Sequence, residues 1–349
     1  MAYTTIDDPT KFFSANLWTG NGTSTSITTG HATDWLWIKN RNDTQRHNIL
    51  DSVRGVTKRV SSNTTDAEAT ESNMLSSFDS NGFTLGTDSS SYGTNTSSKT
   101  YVGWSWKAGG AASSNSNGSI TSSVSVNTTA GFSIISYTGT GSVATVGHGL
   151  GSIPDMVTVK NLSTGSTEWR NMFPNAKGAE YNLNFSSQNP WNDGTEFNDT
   201  MPTSSVFTIG TAGDVNTSGN SYIAYCFKNI QGYSKIGTYT GNGSTDGTFI
   251  YTGFKPAYVW MKSTSHSVNW KVHDNKRDAF NNGLGASLSP NENSAEDDNT
   301  AYDIDFLSNG FKQKNNNANM NKNTYAYIYQ AFAEAPFVTA GTKAAGTAR

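Results

Sequence analysis

The densest run of chemically capable side chains is Asn269-Trp270-Lys271-Val272-His273-Asp274-Asn275-Lys276-Arg277-Asp278. An indole beside an imidazole, a carboxylate and a guanidinium offers a stacking face with donors and acceptors for sugar hydroxyls. Trp270, His273, Asp274 and Arg277 are therefore the candidate ligand-binding residues. The competing account makes Trp270 a core residue and the Asp–Arg pair a staple between strand and loop. Counterparts occur around Ile49-Leu50-Asp51-Ser52-Val53-Arg54-Gly55 and at Glu168-Trp169-Arg170-Asn171-Met172. That recurrence favours the staple.

No other set of residues points to catalysis. His31, His47, His148, His266 and His273 are scattered, and none sits in a His-Glu-x-x-His setting. Gly147-His148-Gly149-Leu150-Gly151 carries alternating glycines, but a strand follows Ile153-Pro154-Asp155 where a phosphate loop needs a helix. It reads as a turn. Asp297-Asp298 and Asp303-Asp305 lack the spacing of a calcium loop and read as a solvated acidic loop. The single cysteine, Cys226, lies inside an aromatic strand and reads as a buried apolar side chain. The expectation is a protein that is not an enzyme, with no metal site and no cofactor.

These residues hang on a strand that occurs three times: Tyr101 to Trp106, Tyr222 to Phe227 and Tyr327 to Phe332. Each copy is aromatic and β-branched with little charge, which suits a strand inside a sheet. Each closes a unit that opens at Thr19-Gly20-Asn21-Gly22, Thr138-Gly139-Thr140-Gly141 or Thr240-Gly241-Asn242-Gly243. An earlier strand ends in lysine: Trp37-Ile38-Lys39, Thr158-Val159-Lys160 and Trp260-Met261-Lys262. From that lysine to the closing aromatic the separations are 67, 67 and 70 residues. Three ordered landmarks at near-constant spacing indicate a tandem triplication.

The expected fold is all-β, with three tandem jelly-roll-like β-sandwich domains and a short N-terminal arm. Charged residues make up 15% of the chain and glycine numbers 34, which favours short strands joined by turns over helices. The boundaries are an arm at 1–16, repeats at 17–107, 131–230 and 231–337, a Gly/Ser/Asn linker at 108–130 and a flexible tail at 338–349. Trp37, Trp106, Phe227, Trp260 and Phe332 form the expected core, each closing aromatic facing the opposite sheet of its own sandwich. Phe12 and Phe13 give the arm apolar anchors, docking on the first unit or on a neighbouring subunit.

Net charge is −3 with both signs interspersed, so no basic face supports nucleic-acid binding. No apolar run is long enough for membrane insertion. Met1 to Asp8 lacks the basic start and apolar run of a secretory leader.

Several segments resemble a family of repeat-built virion proteins of marine bacteriophages, including cyanophages. They are Leu17 to Gly22, Ser52 to Lys58, Ser80 to Gly86, Tyr101 to Gly110, Gly147 to Asp155 and Tyr327 to Phe337. The resemblance spans nearly the whole chain. It implies a tail-fibre-like or structural virion protein, made in the host cytoplasm and placed on the tail or capsid surface. Expected partners are other virion proteins through the arm, two further copies in a homotrimer, and a host cell-surface glycan. The alternatives are a capsid decoration protein without a receptor role and a virion glycan depolymerase. The resemblance carries over no catalytic residues.

Overall fold

The protein is described by a computed structural model that covers residues 3–87, 93–277, 281, 283 and 285–339. It is an all-β chain of antiparallel sheets with a few single-turn helices. The tail beyond residue 339 and Asp278 of the chemically dense run lie outside the described residues.

One four-stranded pattern occurs three times. An opening strand pairs with the closing aromatic strand, which pairs with the lysine strand, which pairs with a short strand. In the first segment these are Phe13–Thr19, Thr100–Trp106, Trp35–Asn40 and Asn48–Asp51. In the second they are Phe132–Thr138, Ser221–Phe227, Met156–Asn161 and Arg170–Phe173. In the third they are Ser234–Thr240, Ala326–Pro336, Phe254–Ser263 and Lys271–Asp274. The closing strand is central in each sheet, with backbone partners on both edges. That is why it carries little charge and why aromatic side chains can crowd it. The second sheet grows to eight strands. Two of the additions, Ser113–Asn115 and Ser122–Asn127, come from the stretch that composition marks as a linker.

A smaller sheet covers one face of each large one, for example Thr25–Thr28, Gly82–Leu85 and Leu75–Asp79 in the first segment. Between large and small sheet sits a local core. Strand alternation sends Tyr101, Tyr222 and Tyr327 into those three local cores. The next residues, Val102, Ile223 and Ile328, turn the other way into a fourth core that all three segments share.

This shared core corrects one expectation. Trp106, Phe227 and Phe332 do not face their own small sheets, because each lies an odd number of residues from the tyrosine that does. They converge on one another: Trp106 and Phe332 ring centres are 5.4 Å apart, and Phe227 and Phe332 are 5.9 Å apart. Trp37 and Trp260 are buried in the same cluster. A void among these rings measures about 10 Å³, which is close packing for so many indoles.

The arm belongs to this core as well. Phe13 stacks on Phe332 at 5.2 Å and is 2% exposed, while Phe12 packs edge-on against Tyr233 at 5.9 Å. The Tyr3 hydroxyl donates to the Gly253 carbonyl and the Thr4 hydroxyl to that of Gln231. Phe12 and Phe13 therefore anchor the chain to its own first and third segments, and the Phe13 ring is closed to any outside partner.

Each opening turn is held by a buried asparagine: Asn95, Asn216 or Asn321. The Asn216 carbonyl oxygen accepts from the Thr140 backbone N–H at 2.7 Å, and its amide donates to Ser142 and Gly210 carbonyls at 2.6 and 2.7 Å. A Cβ at Gly139 would sit 2.3 Å from the Thr217 carbonyl oxygen. This explains the glycine in the recurrent Thr-Gly pair. In all three copies the asparagine stands six residues before the first tyrosine of the closing strand.

The three segments close into a ring. A loop of each hydrogen-bonds to the residue two beyond the next segment's lysine. Glu68 N–H donates to Leu162 C=O at 3.0 Å, Trp191 N–H to Thr264 C=O at 3.0 Å, and Glu296 N–H to Arg41 C=O at 2.9 Å. The last of these returns the third segment to the first.

Candidate functional site

The residues selected from sequence lie inside the ring, Trp270 toward the second segment and Asp274 and Arg277 toward the first. Trp270, His273 and Asp274 are fully buried, as is the Arg277 side chain. The Trp270 indole N–H donates to the Asn184 and Ser187 carbonyls of the second segment. Asp274 accepts from the Arg277 Nε at 2.6 Å and from the Trp104 indole N–H, across the junction, at 3.0 Å. Arg277 reaches Glu296 at 3.1 Å and the Val272 carbonyl at 3.0 Å. Burial opposes charge on Glu296, but Arg277 and Arg41 outweigh it and hold its carboxyl below the usual carboxylate range. All four side chains are closed to solvent where a ligand-binding role needs them exposed; Asp274 and Arg277 form a staple toward the first segment, and Trp270 packs toward the second.

The first-to-second junction repeats the device. Asp51 accepts from Arg54 at 2.6 Å and from the Tyr225 hydroxyl at 2.8 Å, and Arg54 reaches Glu68 at 3.3 Å. The second-to-third junction breaks it. Phe173 ends its strand where Asp51 and Asp274 end theirs, and Ala176 follows at the offset of Arg54 and Arg277. Trp191 makes the backbone bond that Glu68 and Glu296 make elsewhere. On the facing strand Gln330 stands where Trp104 and Tyr225 stand, and it accepts from the Trp260 indole at 2.8 Å. An Asp–Arg–Glu network has become Phe–Ala–Trp.

Where the guanidinium is missing, a cleft of about 700 Å³ opens between the second and third segments. Trp191 and Tyr181, both half-buried, line it from the second segment. Thr238, Thr240 and Ser265 line it from the third. Lys177 lies over the Tyr181 ring at 4.3 Å. Phe173 meets the Trp191 ring edge-on at 5.8 Å and fixes its plane. Sequence reasoning missed these residues. Trp191 and Tyr181 sit in a region with no internal match, and only alignment of the three junctions exposes the substitution.

A cleft of 300–1,000 Å³ with aromatic walls and convergent hydroxyls is the ordinary setting for a small ligand. Metal chemistry finds no comparable geometry: among the described residues no group of three or more His, Cys, Asp or Glu side chains is placed to hold an ion. The histidines are spread over separate structural contacts. His31 bonds the Thr10 carbonyl, His47 accepts from the Trp37 indole, and His148 bridges Thr203 and Leu150 in a turn where Gly149 and Gly151 have positive φ. Burial pushes the Cys226 thiol well up, which makes it inert. Among the described residues no helix is long and apolar enough to cross a membrane.

A family model described as Domain of unknown function (DUF7483) matches residues 8–336. The chain belongs to that family. No curated protein matches it.

The recurrent lysines mark the same asymmetry in this DUF7483 chain. Lys39 donates to Asn40 and Asn293 carbonyls, and Lys160 to Thr65 and Thr167, each reaching across a junction. Lys262 reaches only Ser263 and His266 in its own segment. Burial lowers all three, to about 8 for Lys39 and Lys160, where nearby carboxylates partly offset it, and to about 7 for Lys262, where none does. Unfolded lysine holds its proton up to roughly pH 10. Between about pH 7 and 10 the unfolded chain therefore binds more protons than the folded one, and stability rises with pH. Above that window the buried tyrosines, whose ionisation burial also resists, reverse the slope. Urea melts at pH 7, 8 and 9 will show the rise, and Lys262→Met will flatten it while raising stability at pH 7. An unchanged slope in that variant would remove Lys262 from the account.

Proposed function

We propose that this DUF7483 chain is a structural component of a bacteriophage particle, of the tail-fibre or surface-fibre class, that contributes to host attachment. The virion reading rests on the segments that resemble repeat-built phage proteins. The observation that carries the attachment reading is the ring. Three segments with the same four-stranded pattern share one aromatic core, which supports reading them as three β-sandwich repeats, and a cleft lies between the second and the third. A body of this kind presents recognition surfaces without moving parts. Copies gathered as a homotrimer would raise the effective concentration of each weak contact. Because Phe13 is consumed inside the chain, the contact to other virion proteins uses a different surface.

The test uses the full chain. Mass spectrometry of purified particles finds it in stoichiometric amount, and excess soluble protein slows adsorption several-fold. Its absence from particles would overturn the virion reading. Adsorption untouched by excess protein would overturn the attachment role.

A further inference from the structure

We propose that the cleft between the second and third segments binds an uncharged glycan, with the Trp191 indole as its stacking platform. The argument starts from the ring. Three junctions derive from one repeated plan, and two are closed by the same buried Asp–Arg–Glu network. At the third all three members have changed together, to Phe173, Ala176 and Trp191. A purely structural replacement would fill the volume the guanidinium left. Instead that junction holds a cleft of about 700 Å³, with the indole on its wall.

The cleft's chemistry points to sugar. One face of a pyranose is a patch of C–H groups that packs on an aromatic plane, while its rim is a set of hydroxyls that must be hydrogen-bonded once water leaves. Trp191 supplies the plane. Its position is set in advance by the backbone bond to Thr264 and by the Phe173 edge, so little ordering remains to be done on binding. Thr238 and Thr240 supply the rim. They alternate with buried Tyr239 along the opening strand, so both side chains stand on the exposed face. Neither hydroxyl is engaged by another described residue of the chain. Ser265 lines the cleft as well, its hydroxyl already bonded to the His266 ring and to the Ala326 N–H.

Charge narrows the class. Among the described residues lining the cleft, Lys177 is the one charged side chain, and it lies over the Tyr181 ring. The walls otherwise offer an indole, a phenol ring and hydroxyls, groups that suit a neutral sugar, and one ammonium held over a ring is a sparse site for an anionic one. The second segment provides an internal comparison. Ser136, Thr138 and Ser221 line a cleft of about 360 Å³ at the position equivalent to Thr238, Thr240 and Ala326, with no indole on its wall. One site per chain is therefore expected.

The proposal rests on the attachment reading for its setting, and its chemistry stands apart from it. The experiment applies the labelled full-length chain to printed neutral trisaccharides (α- and β-glucan, mannan, galactan and xylan fragments) beside sialylated, sulfated and uronate glycans. Hits are titrated by tryptophan fluorescence. The expected result is saturable binding of at least one neutral trisaccharide at one site per chain. Trp191→Ala weakens it at least tenfold while the chain stays folded at the assay temperature, and Trp191→Phe stays within a few-fold. Binding to no printed glycan, binding to charged glycans alone, or equal binding by Trp191→Ala overturns the proposal. A failed array with successful adsorption competition sinks the cleft and leaves attachment standing, and the reverse pattern does the opposite.

Discussion

Phe332→Ala will lower the stability of the whole chain in one step, by about 3–5 kcal/mol. Deleting a buried phenyl ring removes its transfer free energy and leaves a cavity. Here the cavity opens where Phe13, Trp106, Phe227 and Tyr258 meet the Phe332 ring, with residues of all three segments on its wall. The cost therefore cannot be confined to the third segment. Calorimetry of the variant should show a single transition displaced downward as a unit. If the third segment instead melted early, with the other two unfolding at the wild-type temperature, the shared core would not couple them.

Arg277→Ala has a comparable effect by a different route. It leaves Asp274, fully buried, without its ion partner, while Glu296 keeps only Arg41. Breaking a buried ion network by removing one member costs about 3–5 kcal/mol, because the remaining charge is neither solvated nor paired. Replacing the whole network with packed apolar groups need not cost anything comparable. The chain already carries apolar groups at the equivalent positions of its second-to-third junction. Asp274→Phe, Arg277→Ala and Glu296→Trp made together will recover more than half of the loss, read as the urea midpoint at constant slope. Full recovery is not expected, since the Trp104 indole N–H loses its acceptor. A triple variant weaker than Arg277→Ala alone would show that the two kinds of junction are not interchangeable.

Both effects concern residues visible in the sequence with a different meaning. Asp274 and Arg277 stand out beside Trp270 and His273 because charged and aromatic types rarely crowd so closely. The same four would serve a sugar at the surface or a staple in the interior. Their copies at Asp51 and Arg54 favour the staple, and burial decides it. Phe12 and Phe13 likewise read as anchors from composition, and only the fold shows that what they grip is the chain itself.

The cleft was the least legible part. Trp191 follows Ala176 by 15 residues, while Glu68 follows Arg54 by 14 and Glu296 follows Arg277 by 19. Variable loop length hides the equivalence that the backbone bonds to Thr264, Leu162 and Arg41 reveal. The constant spacing of Asn95, Asn216 and Asn321 from the closing tyrosines was available to sequence reasoning and passed unnoticed among so many asparagines.

By itself the sequence determined the all-β character and the recurrence of an aromatic strand behind a lysine strand. Those follow from local chemistry: side-chain type, period-two alternation and turn residues act within a few positions of the chain. The tertiary structure alone decided which face of each aromatic strand meets which core, and that three segments close into a ring. It also decided that one junction of three lacks the Asp–Arg–Glu network and lines its cleft with an indole. Those outcomes depend on contacts between residues more than a hundred positions apart, such as Trp104 with Asp274. A strand's alternation says that it has two faces, and only the packing of the other segments says what each face meets.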